Sequence, residues 1–135
     1  MAIDIQGRRP SSPVGKNWRV EFWVWRPIHA LVVNLCPDLF DEKSLENMAF
    51  GRGAGATDER TCLEMANRFE HWMRQHPEGF ILESGIRATD DGRIVCEQEL
   101  ATNPGLETVS PYEATDSDLR KWIDFLKTCG GFEVW

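Results

Sequence analysis

The segment between positions 57 and 76 has the most regular apolar pattern in the sequence, and it constrains the fold most. Its apolar residues recur at steps of three and four, which places them on one face of an α-helix: Cys62, Met65, Ala66, Phe69, Trp72 and Met73. Thr57 is suited to cap the N-terminus of this helix, and Pro77 would end it. An amphipathic helix of this kind has to pack its apolar face against the rest of the chain.

A second amphipathic helix is predicted near the end of the sequence. It would begin at Thr115 or Asp116 and end at Gly130 and Gly131, because these residue types favour helix N-termini and C-termini respectively. Its apolar face would consist of Leu119, Trp122, Ile123, Leu126 and Cys129. The same spacing rule predicts a short helix with an apolar stripe of Leu45, Met48 and Ala49.

Residues 28–35 are apolar on most sides and predict a largely buried helix that begins near Pro27 and ends before Pro37. A buried strand is the alternative, because a short run of leucine and valine is compatible with both structures.

Tryptophan-rich strands are predicted on both sides of these helices. NWRVEFWVWRP, residues 17–27, alternates with a period of two and predicts a strand over residues 18–25. Its core face would carry Trp18, Val20, Phe22 and Val24, and its other face would carry Arg19, Glu21, Trp23 and Trp25. FEVW, residues 132–135, repeats the pattern and places Trp135 on the outer face. Asp91 and Gly92 predict the turn of a β-hairpin between residues 79–88 and 93–100.

The order of these elements predicts an α+β fold. Two or three amphipathic helices would pack on one face of a short, mostly antiparallel sheet, in a single domain over residues 17–135. Residues 1–16 contain glycine, proline, serine and arginine without periodicity, and they predict a flexible N-terminal arm. GRGAGA, residues 51–56, predicts a flexible linker between helices; a phosphate-binding loop is disfavoured because the Gly-Lys-Ser/Thr ending is missing.

The composition is that of an acidic globular protein. The chain has 135 residues and a formal net charge of −7, a balance that repels nucleic acid and anionic membranes and attracts basic partners. No apolar run approaches the roughly 18–20 residues of a membrane span, and residues 1–17 lack the apolar stretch of a signal peptide. We therefore expect a cytoplasmic protein that binds neither nucleic acid nor membrane.

Few residues point to chemistry. The four cysteines, at positions 36, 62, 96 and 129, form no close pair of the kind typical of zinc sites, and we expect reduced, mostly buried thiols. The three histidines are scattered, although a cysteine and a histidine that meet only in the folded chain stay an open alternative. We predict no catalytic residue, no metal and no cofactor, and we favour a protein that is not an enzyme.

Trp23, Trp25 and Trp135 raise the question of what covers them. If the two tryptophan-rich strands pair, the three indoles would share one sheet face. Each aromatic side chain can bury roughly 150–250 Å². Leaving all three in water would therefore lose a hydrophobic free energy comparable to the whole stability of a domain. The cover could be this chain's own loops and helices, another protein chain, or a small ligand.

These indoles provide the predicted binding residues, which are Arg19, Trp23, Trp25 and Trp135. The sequence predicts a small acidic interaction or inhibitor-like module that binds a protein partner, or a second copy as a homodimer, through an aromatic sheet face. The alternative is a small-molecule-binding domain or minor enzyme with a pocket near Trp23, Trp25 and Arg19.

Overall fold

A three-stranded antiparallel sheet, with helices packed on one face, forms the centre of the molecule. The computed structural model describes residues 2–135. The strands β1 to β7 are Ala2–Gly7, Asn17–Glu21, Phe80–Ile81, Arg87–Ala88, Ile94–Val95, Glu113–Ala114 and Phe132–Val134. The α-helices α1 to α5 are Phe22–Leu35, Glu42–Ala49, Glu59–Gln75, Glu97–Thr102 and Asp116–Thr128, and a 3₁₀ turn spans Pro13–Gly15. This is the predicted α+β fold.

The main sheet has the strand order β2-β1-β7, with Ile5 of β1 paired to Trp18 on one side and to Val134 on the other. One face of this sheet is apolar and largely buried, and it consists of Ile3, Ile5, Trp18, Val20, Phe132 and Val134. Two smaller antiparallel pairs, β3–β6 and β4–β5, lie outside this sheet. The predicted inward positions of Trp18, Val20, Phe132 and Val134 are confirmed.

The prediction of a flexible arm over residues 1–16 is wrong for the described residues 2–16, and residue 1 lies outside the described part. Ala2–Gly7 is the central strand of the main sheet. The amides of Arg8, Arg9 and Ser11 then donate hydrogen bonds to carbonyls of Gly131, Cys129 and Thr128 at the end of α5. The alternation of Ile3 and Ile5 with polar residues is a strand pattern, but it is too short to stand out beside glycine and proline.

The predicted strand over residues 18–25 ends at Glu21, and α1 begins at Phe22. The run from Phe22 to Trp25 is apolar at every position, so it has no real alternation and fits a helix equally well. Pro27 lies inside α1 rather than at its first position. The predicted helix over residues 28–35 is confirmed as the remainder of α1, and the strand alternative is excluded.

The three amphipathic helices are confirmed as α2, α3 and α5. Asp58, rather than Thr57, occupies the N-cap position of α3. Thr115 caps α5 through a capping box, in which its hydroxyl accepts from the Asp118 amide and the Asp118 carboxylate accepts from the Thr115 amide. The indole of Trp122, on α5, lies at the centre of the core, with Trp18, Trp25, Phe69, Phe125 and Phe132 around it.

The loop over residues 51–56 is a packed strap and not the flexible linker predicted. It runs antiparallel along the outer edge of β7: the Gly53 amide donates to Val134, the Val134 amide donates to Ala54, and the Phe132 amide donates to Ala56. A Cβ at Gly55 would collide with the carbonyl oxygen of Phe132, so glycine allows this close approach. The strap thus covers one edge of the main sheet.

The predicted hairpin at Asp91 and Gly92 is confirmed, but it is much shorter than expected. Only Arg87–Ala88 and Ile94–Val95 pair, and residues 97–102 form α4 instead of continuing the strand. Phe80–Ile81 pairs with Glu113–Ala114, at the start of α5.

Candidate functional site

Trp25, one of the four predicted binding residues, belongs to the core. Its side chain is fully buried, its indole Nε1 donates a hydrogen bond of 3.0 Å to the Met48 carbonyl, and its ring packs edge-on against Trp122 with centroids 5.5 Å apart. The prediction of Trp25 as a binding residue is therefore wrong, because the helix that replaces the strand turns this side chain inward.

Arg19 and Trp135 lie on the outer face of the main sheet, on opposite sides of Asp4. The Arg19 guanidinium is 3.6 Å from the Asp4 carboxylate, and the Trp135 amide donates to the Asp4 carbonyl at 2.6 Å. The two tryptophan-rich strands do not pair, because β1 separates β2 from β7. Trp135 is 53% exposed, and its indole donates to Glu133, which is also paired with Arg8.

Trp23 lies on α1 and not on a sheet, so it does not share a face with Trp135. Its side chain is 37% exposed, and its ring centroid is 4.9 Å from that of the buried Tyr112. Of the predicted residues Arg19, Trp23 and Trp135, the structure places Trp23 apart from the other two.

Trp23 and the exposed Phe50 are connected through the partly buried Phe22 and Arg26, in a surface that the sequence did not predict. We define the aromatic–arginine surface as Phe22, Trp23, Arg26, Phe50 and Arg52. The Phe22 and Trp23 ring centroids are 6.3 Å apart. The Arg26 guanidinium lies 5.6 Å from the Phe22 centroid and 5.8 Å from that of Phe50, and the Arg52 guanidinium lies 5.2 Å from the Phe50 centroid. Phe50 is 51% exposed.

Two helices and the strap position this surface. Phe22, Trp23 and Arg26 occupy the first turns of α1, at spacings that bring them to one side. Phe50 follows the last residue of α2, and Gly51, with a φ of 65°, turns the chain so that Arg52 lies beside Phe50. Gly53 then lies under the Trp135 ring, which places Trp135 next to the loop that carries Arg52.

The electrostatics of this surface differ from those of the remaining chain. Seven of the eleven arginines lie within 4.0 Å of a carboxylate, but Arg26 and Arg52 form no ion pair with any residue in the range 2–135. Both guanidinium groups contact aromatic rings instead. The surface therefore combines exposed apolar area with two positive charges that this chain leaves without carboxylate partners.

Three grooves, of about 960, 500 and 380 Å³, lie along α3. Within the described chain, none of the three is lined by Arg19, Trp23 or Trp25. The charges of the middle groove compensate one another, because Lys127 pairs with Glu70 and Arg120 pairs with Asp116. The predicted pocket near Trp23, Trp25 and Arg19 is thus not among these grooves, and the burial of Trp25 removes one of its walls.

Most of the cysteines, and His29, are held by contacts inside the fold. Cys36, Cys62 and Cys129 are buried as predicted, but Cys96 is exposed. The hydrogen bond with Cys129, whose Sγ is 3.6 Å away, and burial raise the pKa of the Cys62 thiol. The imidazole of His29 is held against the Leu45 carbonyl at 2.6 Å, and burial lowers its pKa. In residues 2–135 no histidine is hydrogen-bonded to a cysteine.

No family model matches this chain, and neither a curated protein nor a solved structure matches it. Among residues 2–135, no helix combines the length and the apolar character that crossing a membrane requires.

Sequence reasoning missed Phe50, Arg26 and Arg52. Phe50 could have been noticed, since it lies next to the Leu45, Met48 and Ala49 stripe without belonging to it, and directly precedes a glycine. A large aromatic residue outside the apolar stripe of its helix is a candidate for surface exposure.

Proposed function

We propose that this chain is a non-enzymatic protein-binding module whose partner packs on the aromatic–arginine surface. The observation that carries the proposal is the half-exposed Phe50 ring, with the guanidinium groups of Arg26 and Arg52 at 5.8 and 5.2 Å from its centroid. Aromatic residues and arginine are enriched at the centres of protein interfaces, where they contribute most of the binding energy.

The exposed area is large enough to matter for binding. At 37% and 51% exposure, Trp23 and Phe50 together leave about 150–200 Å² of mostly apolar area open to water. Covering it would contribute on the order of 4 kcal/mol. That free energy alone corresponds to a dissociation constant of about 1 mM, so the surface would be the energetic centre of a wider interface.

The rings are already held in place in the free chain, which lowers the entropy lost on binding. Trp23 leans on the buried Tyr112, and Arg26 bridges Phe22 and Phe50. An aromatic side chain with few free torsions supplies contact area with little further loss of conformational freedom.

The cytoplasm is the compartment we propose for this module. Cys62 and Cys129 are free thiols with their sulfur atoms 3.6 Å apart. Two buried thiols this close would be prone to oxidation in an oxidising compartment, and a reducing compartment is the one that would keep them as thiols.

The proposal is tested with the double variant Trp23→Ser/Phe50→Ser. The wild-type protein, bound to a resin, is incubated with lysate of its source organism, and retained proteins are identified by mass spectrometry; native mass spectrometry reports self-association in parallel. We expect a defined partner, or a homodimer, that the double variant loses while its circular dichroism stays unchanged.

The matched control is Val14→Ser/Leu63→Ser, which removes two residues that are 53% and 44% exposed and lie on the 3₁₀ turn and on α3. This control should retain the partner. If the wild-type chain stays monomeric and retains no partner, or if the Trp23→Ser/Phe50→Ser variant retains it equally well, the proposed function is wrong.

A further inference from the structure

We infer that the partner presents an acidic segment to the aromatic–arginine surface, with a carboxylate against Arg26 or Arg52 and an apolar side chain against Phe50. This inference rests on the proposed function and adds the chemistry of the partner to it. It also reverses the expectation from the net charge of −7, which favours a basic partner.

The local charge at this surface is positive, although the chain has 22 acidic residues and 15 basic ones. Two of the four arginines without an ion pair in residues 2–135, Arg26 and Arg52, lie at the same aromatic ring. Arg26 is half-buried and lies between two rings, and Arg52 contacts the ring of Phe50. A carboxylate brought by a partner would supply the counter-charge that this chain does not.

Both guanidinium groups lie near aromatic rings and pair with no carboxylate in residues 2–135, which leaves N–H donors available to a partner. Those donors match the two oxygens of a carboxylate in a bidentate hydrogen bond, which is among the stronger contacts in proteins. Contact with the rings also limits the motion of Arg26, which holds its donors ready for an anion.

Acidic residues lie on both sides of the positive region along the chain. Glu21 immediately precedes Phe22, and Glu46 lies one helical turn before Phe50, and both side chains are exposed. The positive region is therefore flanked by an acidic residue next to α1 and by another on α2. A nucleic acid carries a charge about every 1.7 Å along its axis, and its neighbouring phosphates would meet this acidic rim. An acidic peptide segment is therefore favoured over a nucleic acid.

The experiment uses a library of random dodecapeptides displayed on phage. The library is selected on the immobilised full-length chain after removal of phage that bind the Phe50→Ser variant. We expect selected peptides to carry at least two aspartates or glutamates beside an aromatic or large aliphatic residue. One selected peptide is then synthesised with a fluorophore, and its affinity is measured by fluorescence anisotropy.

Charge reversal provides the decisive measurement. We expect Arg52→Glu to weaken binding of the selected peptide at least about tenfold, and Arg52→Gln to weaken it less. The matched control is Arg60→Glu: Arg60 is exposed on α3 and likewise forms no ion pair in the described chain, and this variant should bind like the wild type. Raising the salt from about 0.15 M to about 1 M, which shortens the Debye length from about 8 to 3 Å, should also weaken binding.

The outcomes separate this inference from the proposed function. Selected peptides rich in lysine and arginine, or peptide binding that is unaffected by Arg52→Glu, would overturn the inference of an acidic partner. If such binding still requires Phe50, the proposed protein-binding function is retained. A homodimer that buries this surface would identify a second copy as the occupant, and it would overturn the inference in the same way. If no peptide is enriched on the wild-type chain over the Phe50→Ser variant, the inference is wrong, and the proposed function is then decided by the lysate experiment.

Discussion

The indole of Trp25 donates a hydrogen bond to the carbonyl of Met48 across 3.0 Å, and this contact joins α1 to the last turn of α2. Phe50 lies two residues beyond Met48, so the same contact fixes the position of Phe50 beside Arg26. A buried tryptophan therefore organises the exposed surface next to it. Trp25 and Trp23, two positions apart in the sequence, differ in burial, since Trp25 is fully buried and Trp23 is 37% exposed.

Replacement of these two tryptophans should separate the roles. We expect Trp25→Ser to lower the free energy of unfolding by about 3–5 kcal/mol, because it removes a buried ring and a buried hydrogen bond. Trp23→Ser should lower it by less, about 1–2 kcal/mol, since part of the ring is already exposed. Urea denaturation followed by circular dichroism measures both. Equal losses for the two variants would contradict the assignment of Trp25 to the core.

Ile5 tests the place of residues 2–7 in the fold. Its side chain is fully buried on the central strand, so Ile5→Ala should destabilise the protein by about 2–5 kcal/mol. Gln6→Ala, one position along on the exposed face, should change stability by less than about 0.5 kcal/mol. A flexible arm would tolerate both substitutions, so an unchanged urea midpoint for Ile5→Ala would refute the strand.

Gly55 tests the strap over residues 51–56. A methyl group there would collide with the Phe132 carbonyl, so Gly55→Ala should cost about 1–3 kcal/mol. Gly85→Ala is the matched control, because a Cβ at Gly85 meets nothing within 4 Å. Thermal unfolding of the two variants gives the comparison. If Gly55→Ala is as stable as Gly85→Ala, the loop is not packed on β7.

The helices could be predicted from the sequence because their information is local. Apolar residues at steps of three and four, with Thr115 as the capping residue, are enough to locate α5. The same holds for α3 with its buried stripe, of which Phe69 is the centre. Elements of this length contain several turns, so one ambiguous residue does not alter the pattern.

The rest depends on contacts between distant parts of the chain. The run from Phe22 to Trp25 suits a strand or a helix, and its packing against α2 and Trp122 decides for the helix. Arg26 and Phe50 are 24 positions apart, so no local pattern relates them. Of the residues in the aromatic–arginine surface, only Trp23 could be predicted as a binding residue from the sequence. The others come together only when α1 and α2 pack against each other.

The cysteines should differ sharply in reactivity. Cys96 is exposed, whereas Cys36, Cys62 and Cys129 are buried, and burial raises the pKa of Cys36 to about 11. We expect Ellman's reagent to titrate one thiol per native chain at mildly alkaline pH and all four after unfolding in guanidinium chloride. Cys96→Ser should abolish the native reaction. Rapid reaction of any remaining thiol in the native Cys96→Ser variant would contradict the burial of Cys36, Cys62 and Cys129.

The stability of the protein should fall in mild acid because of His29. Its Nε2 donates to the Leu45 carbonyl between α1 and α2, and burial lowers the pKa of the imidazole. The unfolded chain, with an ordinary histidine pKa of about 6.5, then binds a proton more readily than the native chain. This contribution to stability is complete well above about pH 6.5 and is lost as the pH falls through that value towards the lowered pKa.

Urea midpoints of the wild type and of His29→Gln, measured between about pH 8 and pH 5, test this dependence, since most carboxylates titrate below that range. Glutamine keeps an N–H donor for the Leu45 carbonyl but has no proton to gain, so the variant should lose the part of the pH dependence that belongs to His29. His71→Gln is the control, because His71 is exposed and should leave the wild-type slope intact. A wild-type midpoint that stays constant over this range, or a slope that persists in His29→Gln, would show that the imidazole is not held neutral between α1 and α2.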